Sequence, residues 1–409
     1  MARHPELLIP ASSLEVLKTA VIFGADAVYI GGESFGLRAK AKNFSMQDMK
    51  EGIAFAHTYH VKVYVTVNIF AHNQDLEGVR TYLEELKEIQ PDGLIIADPG
   101  IFEIAGEICP EIERHISTQA NNTNYATYRF WHRQGAKRVV AARELSMEEL
   151  KELRQNIPED MEIEAFIHGS MCISYSGRCL LSNYFTGRDA NQGSCTHPCR
   201  WKYAVVEETR PGEYMPVYEN ERGTYIFNSK DLCMIGHIPE LIDAGVDSLK
   251  VEGRMKTALY VATVARTYRR ALDDHRESPE KYRANMPWYQ EQIASCTYRQ
   301  FTTGFFFGKP DENTQIYNES TYVKEYTYLG IVEEEKDGLY RIEQRNKFSV
   351  GEWIEIMKPD GRNVKVKVGR ILNEEGTEQE SAPHAKQVLF VDLQGRAAKF
   401  DILRRAEDR

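Results

Sequence analysis

VKVYVTVNIFAHNQDLEGVRTYLEELKEIQPDGLIIADPGIFEIAGEI, residues 61–108, repeats one alternating rhythm twice. Residues 61–70 are dense in β-branched side chains and predict a strand. Residues 76–89 carry helical periodicity. Residues 93–97 predict a second strand, stopped by Asp98-Pro99-Gly100, and 101–108 a short helix. The same alternation runs outward in both directions. Upstream, strands are predicted at 7–10 and 27–30, with helices at 12–23 (Ser12 or Ser13 as cap) and 45–59. Downstream, strands at 115–118, 138–142 and 163–167 alternate with helices at 124–134 and 146–156. The strand at 163–167 is expected to stop at His168-Gly169. A strand at 225–228, a helix around 231–244 and a strand at 248–251 follow. Eight or nine such units in about 270 residues predict a (β/α)8 barrel, TIM-like, rather than an open sheet. No GxGxxG follows the first strand, which counts against a dinucleotide-binding fold.

At 409 residues the chain has room for one large core and a smaller domain. Hydrophobic residues make up 42% and charged residues 27%, an ordinary globular mixture. No apolar run reaches the roughly 20 residues needed to span a bilayer, and MARHPELLIPASS lacks a secretory core. A cytoplasmic protein with no membrane association is therefore expected, with its thiols reduced. The net charge of −10 argues against a surface that coats nucleic acid uniformly, but it permits a local basic face. From Tyr326 the texture changes to short alternating strands (YLGIVEEE, GLYRIEQ, EWIEIMK, VKVKVGRIL, QVLFVDL) separated by charged turns. The division expected is a barrel over 1–285 with a cysteine-rich loop at 168–203, a linker at 286–320, and a small C-terminal β-barrel over 321–409.

In a (β/α)8 barrel the C-terminal strand ends face the active site. The polar residues there are Asn68, Asp98, Gln119, Arg143, His168, Asn228, Lys230, Glu252 and Arg254. Each alone could be a loop cap or a rim ion pair; their recurrence at one end marks them as a group. Beyond residue 163 comes EAFIHGSMCISYSGRCLLSNYFTGRDANQGSCTHPCRWKY, with Cys172, Cys179, Cys195 and Cys199 within 28 residues and Cys233 further on. The spacings are C-x6-C, C-x15-C and C-x3-C. Structural zinc sites favour paired C-x2–4-C knuckles, and only one such pair is present. Uneven spacing suits an iron–sulfur cluster better, although zinc and redox-active thiols stay open. Cys109 and Cys296 read as ordinary buried cysteines. His168 is either a core-edge histidine or a proton-handling group. Arg178, Arg188 and Arg200 fall in the same segment, where they could offset thiolate charge or grip a carboxylate. No G-x-S-x-G or H-E-x-x-H accompanies them. A helix over 255–276 carries Arg266, Arg269, Arg270 and Arg276, and with Lys399, Arg404 and Arg405 it is the candidate phosphate-binding face.

HGSMCISYSGRCLLSNY, NQGSCTHPCRWKY, FNSKDLC, KVEGRMK and the opening LLIPASSLEVLKTAVIFGADAVYIGG together resemble the collagenase-like peptidase family of unassigned type. The likeness spans nearly the whole chain. Within that family the chain is most similar to the branch of prephenate-dependent tRNA uridine hydroxylases. The resemblance implies formation of 5-hydroxyuridine at the wobble position of tRNA, with prephenate as hydroxyl donor and a 4Fe–4S cluster. It implies Cys172, Cys179, Cys195 and Cys233 as cluster ligands, with Cys199 a rival for the fourth place. Prephenate is a dicarboxylate, for which Arg143, Arg178 and Arg254 are the candidate cations, with Asn68 and Gln119 as further substrate contacts. His168 and Glu252 are the candidate proton handlers. The alternatives are a peptidase, which the family name suggests, and a non-enzymatic RNA-binding protein stabilised by a cluster or zinc.

Overall fold

The computed structural model describes residues 4–36, 43–172, 175–176, 178–188, 190, 195–200, 204–205, 215–216, 228–296, 300–309, 315–316 and 325–407. They form two compact units, residues 1–21, 25–256 and 299–321 in the first, and 22–24, 257–298 and 322–409 in the second.

The first unit is a closed parallel barrel. Its strands are β1 (Glu6–Pro10), β2 (Ala27–Gly31), β3 (Lys62–Val67), β4 (Gly93–Ile96), β5 (Glu113–Ile116), β6 (Arg138–Val140) and β7 (Glu162–Ser170). A short β8 (Asp231–Cys233), the barrel strand β9 (Ser248–Val251) and a short β10 (Phe301–Thr302) follow. Strands β1 to β7 pair in sequence order, and β9 pairs with both β1 and β7, which closes a ring of eight. Helices α1 (Leu14–Ile22), α2 (Met46–Thr58), α3 (Leu76–Ile89), α4 (Pro99–Ile108), α5 (Tyr125–Arg133) and α6 (Met147–Asn156) make the crossovers. Their starts follow capping chemistry: Ser45 and Ser146 form capping boxes with Asp48 and Glu149, and Asn124 caps α5. Asp98 accepts from the Gly100 and Ile101 amides, so that strand-end residue is spent as the cap of α4.

The predicted barrel is the observed one, with two local corrections. Strand β7 does not stop at His168-Gly169 but continues to Ser170, because β8 pairs antiparallel with residues 168–170. The helix expected over 231–244 is therefore a strand followed by a short α8 (Ile238–Asp243), whose start is set by Pro239 in its first turn. Of the strand expected at 225–228, residues 225–227 lie outside the described residues, while Asn228–Ser229 pairs with Gln315–Ile316.

The barrel interior is charged where an apolar plug would be simplest. Lys250 on β9 sits 2.6 Å from Glu164 on β7, with side-chain exposures of 6% and 0%. Arg138 on β6 reaches Glu6 at 2.6 Å, Glu162 at 2.7 Å and Glu164 at 3.2 Å. The Tyr64 and Ser248 hydroxyls both donate to Glu6. Burial alone would raise the Glu164 carboxyl, but Lys250 and Arg138 hold it below its ordinary value. Leu8, Ala27, Tyr29, Tyr64 and Ile95 pack as the apolar complement.

In the second unit, α9 (Ala258–Glu277), α10 (Pro279–Ala284) and α11 (Met286–Ala294) accompany an eight-stranded antiparallel sheet between Tyr326 and Ala406. Leu329, Ile342, Ile356, Val366, Leu389 and Leu403 point from separate strands into one core. Residues 257–285, expected in the barrel domain, cluster with this unit instead. The reason is visible in Arg266 on α9, which donates to the carbonyl of Lys358 at 3.0 Å and to Gln292 at 2.6 Å.

Candidate active site

The C-terminal ends of β3 and β5 bring two amides together. Asn68, just past β3, donates through Nδ2 to Gln119 Oε1 at 2.6 Å. Gln119 lies in the single turn Thr118–Ala120 after β5 and is 2% exposed. Its Oε1 also accepts from the Ser117 hydroxyl, whereas its buried Nε2 finds no acceptor among the described residues. Asn121 follows in the left-handed conformation, φ 54°, which asparagine tolerates well. Its Oδ1 accepts from Arg178 Nε at 2.6 Å and its Nδ2 donates to the Ser176 carbonyl at 3.2 Å. The cysteine-rich segment is thus tied to the end of β5.

A second group forms across β6, β7 and β9. The Arg143 guanidinium lies 3.9 Å from the centre of the Phe166 ring. From there Nη1 reaches Cys172 Sγ at 3.5 Å and Nη2 reaches a Glu252 carboxylate oxygen at 3.4 Å. One cation therefore joins a thiol of the loop to an acid at the barrel end. Arg254 is buried, with Nη1 donating to the Thr66 hydroxyl at 2.7 Å. Gly31 makes room for it, since a Cβ there would stand 2.4 Å from that nitrogen.

His168 is 1% exposed, its backbone carbonyl accepts from the Glu252 amide, and its ring lies 5.7 Å from that of Phe301. Burial pushes its imidazole down to about 4, with Asp231 pulling the other way and Lys256 adding to the fall. At neutral pH it is uncharged.

The seven cysteines are all free. Cys109 and Cys296 are buried, and each thiol faces a backbone carbonyl of its own helical turn, Ala105 at 3.3 Å and Ile293 at 3.1 Å. They are packing residues, as their sequence context suggests. Cys172 and Cys195 are exposed, while Cys179, Cys199 and Cys233 are half-buried. Cys233 on β8 stands opposite His168 on β7. Thr196, next to Cys195, is held through the Ser182 hydroxyl of α7 (Leu181–Thr186). As a donor set these five thiols suit an iron–sulfur cluster, and the guanidinium on Cys172 suits the negative charge such a centre carries. Among the described residues, no three His, Cys, Asp or Glu side chains are already gathered in a metal-binding arrangement.

The expected phosphate-binding face does not survive in full. Arg266 and Arg404 are 2% and 1% exposed, and Arg404 is held by Glu355 at 2.6 Å. Arg269, Arg270 and Arg276 lie against Asp273 and Asp274, and Arg405 against Glu352. Among the partners that the sequence does not announce are Thr66, Asn121 and Phe166. Consecutive asparagines after a strand were the one available signal, for Asn121.

Residues 12–316 match the model for peptidase family U32, and residues 324–404 match that of the family U32 C-terminal domain. A barrel with a cysteine-rich segment at its C-terminal end, followed by this second sheet, places the chain in a defined class: it belongs to peptidase family U32. Among its relatives is tRNA hydroxylation protein P1 of Bacillus subtilis (strain 168), 40% identical over 409 residues, covering 100% of this chain and 96% of that protein. tRNA hydroxylation protein P of Escherichia coli (strain K12) is 39% identical, covering 93% of this chain and 91% of its own. A 23S rRNA 5-hydroxycytidine synthase of the same strain is 38% identical over 268 residues, 66% of this chain and 39% of that one. Among the described residues no helix is long and apolar enough to cross a membrane.

Proposed function

We propose that this chain is a tRNA-modifying enzyme that hydroxylates the wobble uridine to 5-hydroxyuridine, with prephenate as hydroxyl donor and a 4Fe–4S cluster as cofactor. The observation that carries it is end-to-end likeness to proteins named for tRNA hydroxylation, at 40% and 39% identity. The site supports it through Arg143, which links the thiol-rich segment to the acid at the barrel end.

Cys172, Cys179, Cys195 and Cys233 would hold the cluster, with Cys199 the rival for the fourth position. When bound, such a cluster supplies electron transfer and polarisation of an oxygen-bearing group. The chain's own residues bind and orient. Prephenate carries two carboxylates, and Arg143, Arg178 and Arg254 supply cations at the ends of β6, β5 and β9. Arg254 is pre-set by Thr66, and Arg178 by Asn121, so neither guanidinium has to be ordered at binding. Gln119 Nε2 offers a buried donor to a substrate oxygen, and Asn68 fixes the amide that carries it. His168 and Glu252 are the groups proposed to handle protons, with His168 uncharged at rest.

Mass spectrometry of tRNA nucleosides tests the function. A deletion strain grown without oxygen is expected to lose 5-hydroxyuridine derivatives and to regain them with the wild-type gene. Unchanged wobble uridines, together with cleavage of gelatin by the pure protein, would restore the peptidase alternative. Arg254→Lys tests the clamp. Lysine cannot reproduce a planar two-pronged contact, and loss of a charged bidentate contact in a desolvated site costs about 2–5 kcal/mol. Prephenate-dependent turnover should fall roughly 30-fold or more with iron content unchanged. Wild-type turnover in this variant would place the clamp elsewhere.

A further inference from the structure

The segment that carries the thiols also carries exposed aromatic rings that none of the chemistry above uses. Tyr184 is 81% exposed, Leu180 68%, Tyr175 44% and Phe185 42%. Soluble proteins rarely leave such side chains together in water without a partner for them. Their exposure is built in. Ser182 is buried on the inner face of α7, where its hydroxyl meets Thr196 at 3.0 Å, and Thr186 meets the same hydroxyl at 3.2 Å. Anchored on that face, α7 turns Tyr184 and Leu180 outward. Tyr184 and Phe185 stand edge to face, centroids 5.1 Å apart and planes at 83°, so the pair is ordered rather than splayed.

The charge around them is one-sided. From Ser170 to Arg188 there is no Asp or Glu, while Arg178 and Arg188 are both present and exposed. In a chain of net charge −10 this stretch is locally basic. Exposed rings interleaved with arginines are the surface on which unpaired bases stack while the backbone phosphates are neutralised. An aliphatic protein-docking patch would not call for that pairing, and the cations of α9 that might have held phosphate are instead buried or engaged by acids.

We infer that the rings of Tyr175, Tyr184 and Phe185, with Leu180, form a stacking platform for unpaired bases of the RNA substrate beside the barrel mouth. The inference rests on the reading of the substrate as tRNA and adds how the molecule is gripped: through the single-stranded loop, by stacking. RNA whose bases are all paired offers no free base faces and should gain little from the platform.

The test is binding of the full-length, anaerobically purified protein to two fluorescent RNAs of equal length, a stem-loop with an unpaired loop and a fully paired duplex. Wild type should prefer the stem-loop. Tyr184→Ala should weaken stem-loop binding about ten-fold, the effect of deleting one base-stacking ring. Tyr184→Phe, which keeps the ring, should bind like wild type, and duplex binding should be the same in all three. Tyr184 is exposed, and an unchanged melting temperature and iron content separate loss of binding from loss of folding. Stem-loop binding unchanged in Tyr184→Ala and in Phe185→Ala would overturn the platform and leave the tRNA reading standing. So would an equal loss for duplex and stem-loop. Capture of a protein partner that Tyr184→Ala abolishes, with RNA binding intact, would also overturn it. Wild type that binds neither RNA would sink the tRNA reading itself.

Discussion

Cys172→Ser is expected to strip the anaerobically purified protein of most of its iron and acid-labile sulfide and to leave no measurable tRNA hydroxylation. Serine offers a hard, weakly acidic oxygen where a soft thiolate is wanted, and it stands where the Arg143 guanidinium meets the sulfur at 3.5 Å. Cys179→Ser should behave alike. Cys109→Ser and Cys296→Ser should keep both iron and activity, because those thiols are buried against backbone carbonyls of their own helices. The fourth position separates through Cys233→Ala, which should lose the cluster, and Cys199→Ala, which should retain most of it. The reverse pattern would make Cys199 the ligand. Stoichiometric zinc without acid-labile sulfide in the wild type would end the cluster assignment altogether.

Lys250→Met should destabilise the protein by about 3–5 kcal/mol, the usual cost of leaving one member of a buried pair uncompensated. Inside the barrel Arg138 and Lys250 face the partly buried Glu6 and the fully buried Glu164. Among the described residues, removal of Lys250 leaves Glu164 with Arg138 as its ion-pair partner, which it shares with Glu6 and Glu162. A second change, Glu164→Gln, restores the balance and should recover much of the loss. The pH dependence gives an independent sign. In the wild type the Glu164 carboxyl lies below its ordinary value, so its contribution is present above that value and is lost as pH falls through the lowered one. Without Lys250, the largest influence that lowers it is gone, and the carboxyl rises relative to wild type. The deficit of Lys250→Met relative to wild type should then shrink as the solution is acidified. Denaturant unfolding across that range measures it, and a deficit that grows on acidification would show that Lys250 is not the partner that keeps Glu164 ionised.

The barrel is legible in the sequence because each β-α unit announces itself locally. Residues 62–67 carry four β-branched side chains and are buried from Val63 to Val67, and Ser45, Asn124 and Ser146 begin their helices where capping chemistry says they should. The misread elements are those whose partner is distant. Residues 231–233 look like the start of a helix until Ser170 and Gly169 supply a ladder from across the chain. Arg266 and Arg404 resemble surface cations, since nothing near them in sequence reveals Gln292, Asn363 or Glu355. For the site, residue types at the strand ends point to Arg143, Glu252 and Arg254, but not to what holds them. Charges at alternate positions of EIEAF and SLKVE do carry the barrel's inner pattern: Glu162, Glu164, Lys250 and Glu252 share a period of two.

The antiparallel ladder between β7 and β8 sets Cys233 opposite His168 and Asp231 opposite Ser170, two residues before Cys172. These thiols are 61 positions apart in the chain, yet their spacing is governed by hydrogen-bond register rather than by the number of residues between them. A change that keeps the register between β7 and β8 therefore keeps that gauge. A single residue added within 231–233 would do the opposite: it would turn the Cys233 side chain to the other face of the ladder while leaving every thiol in the sequence.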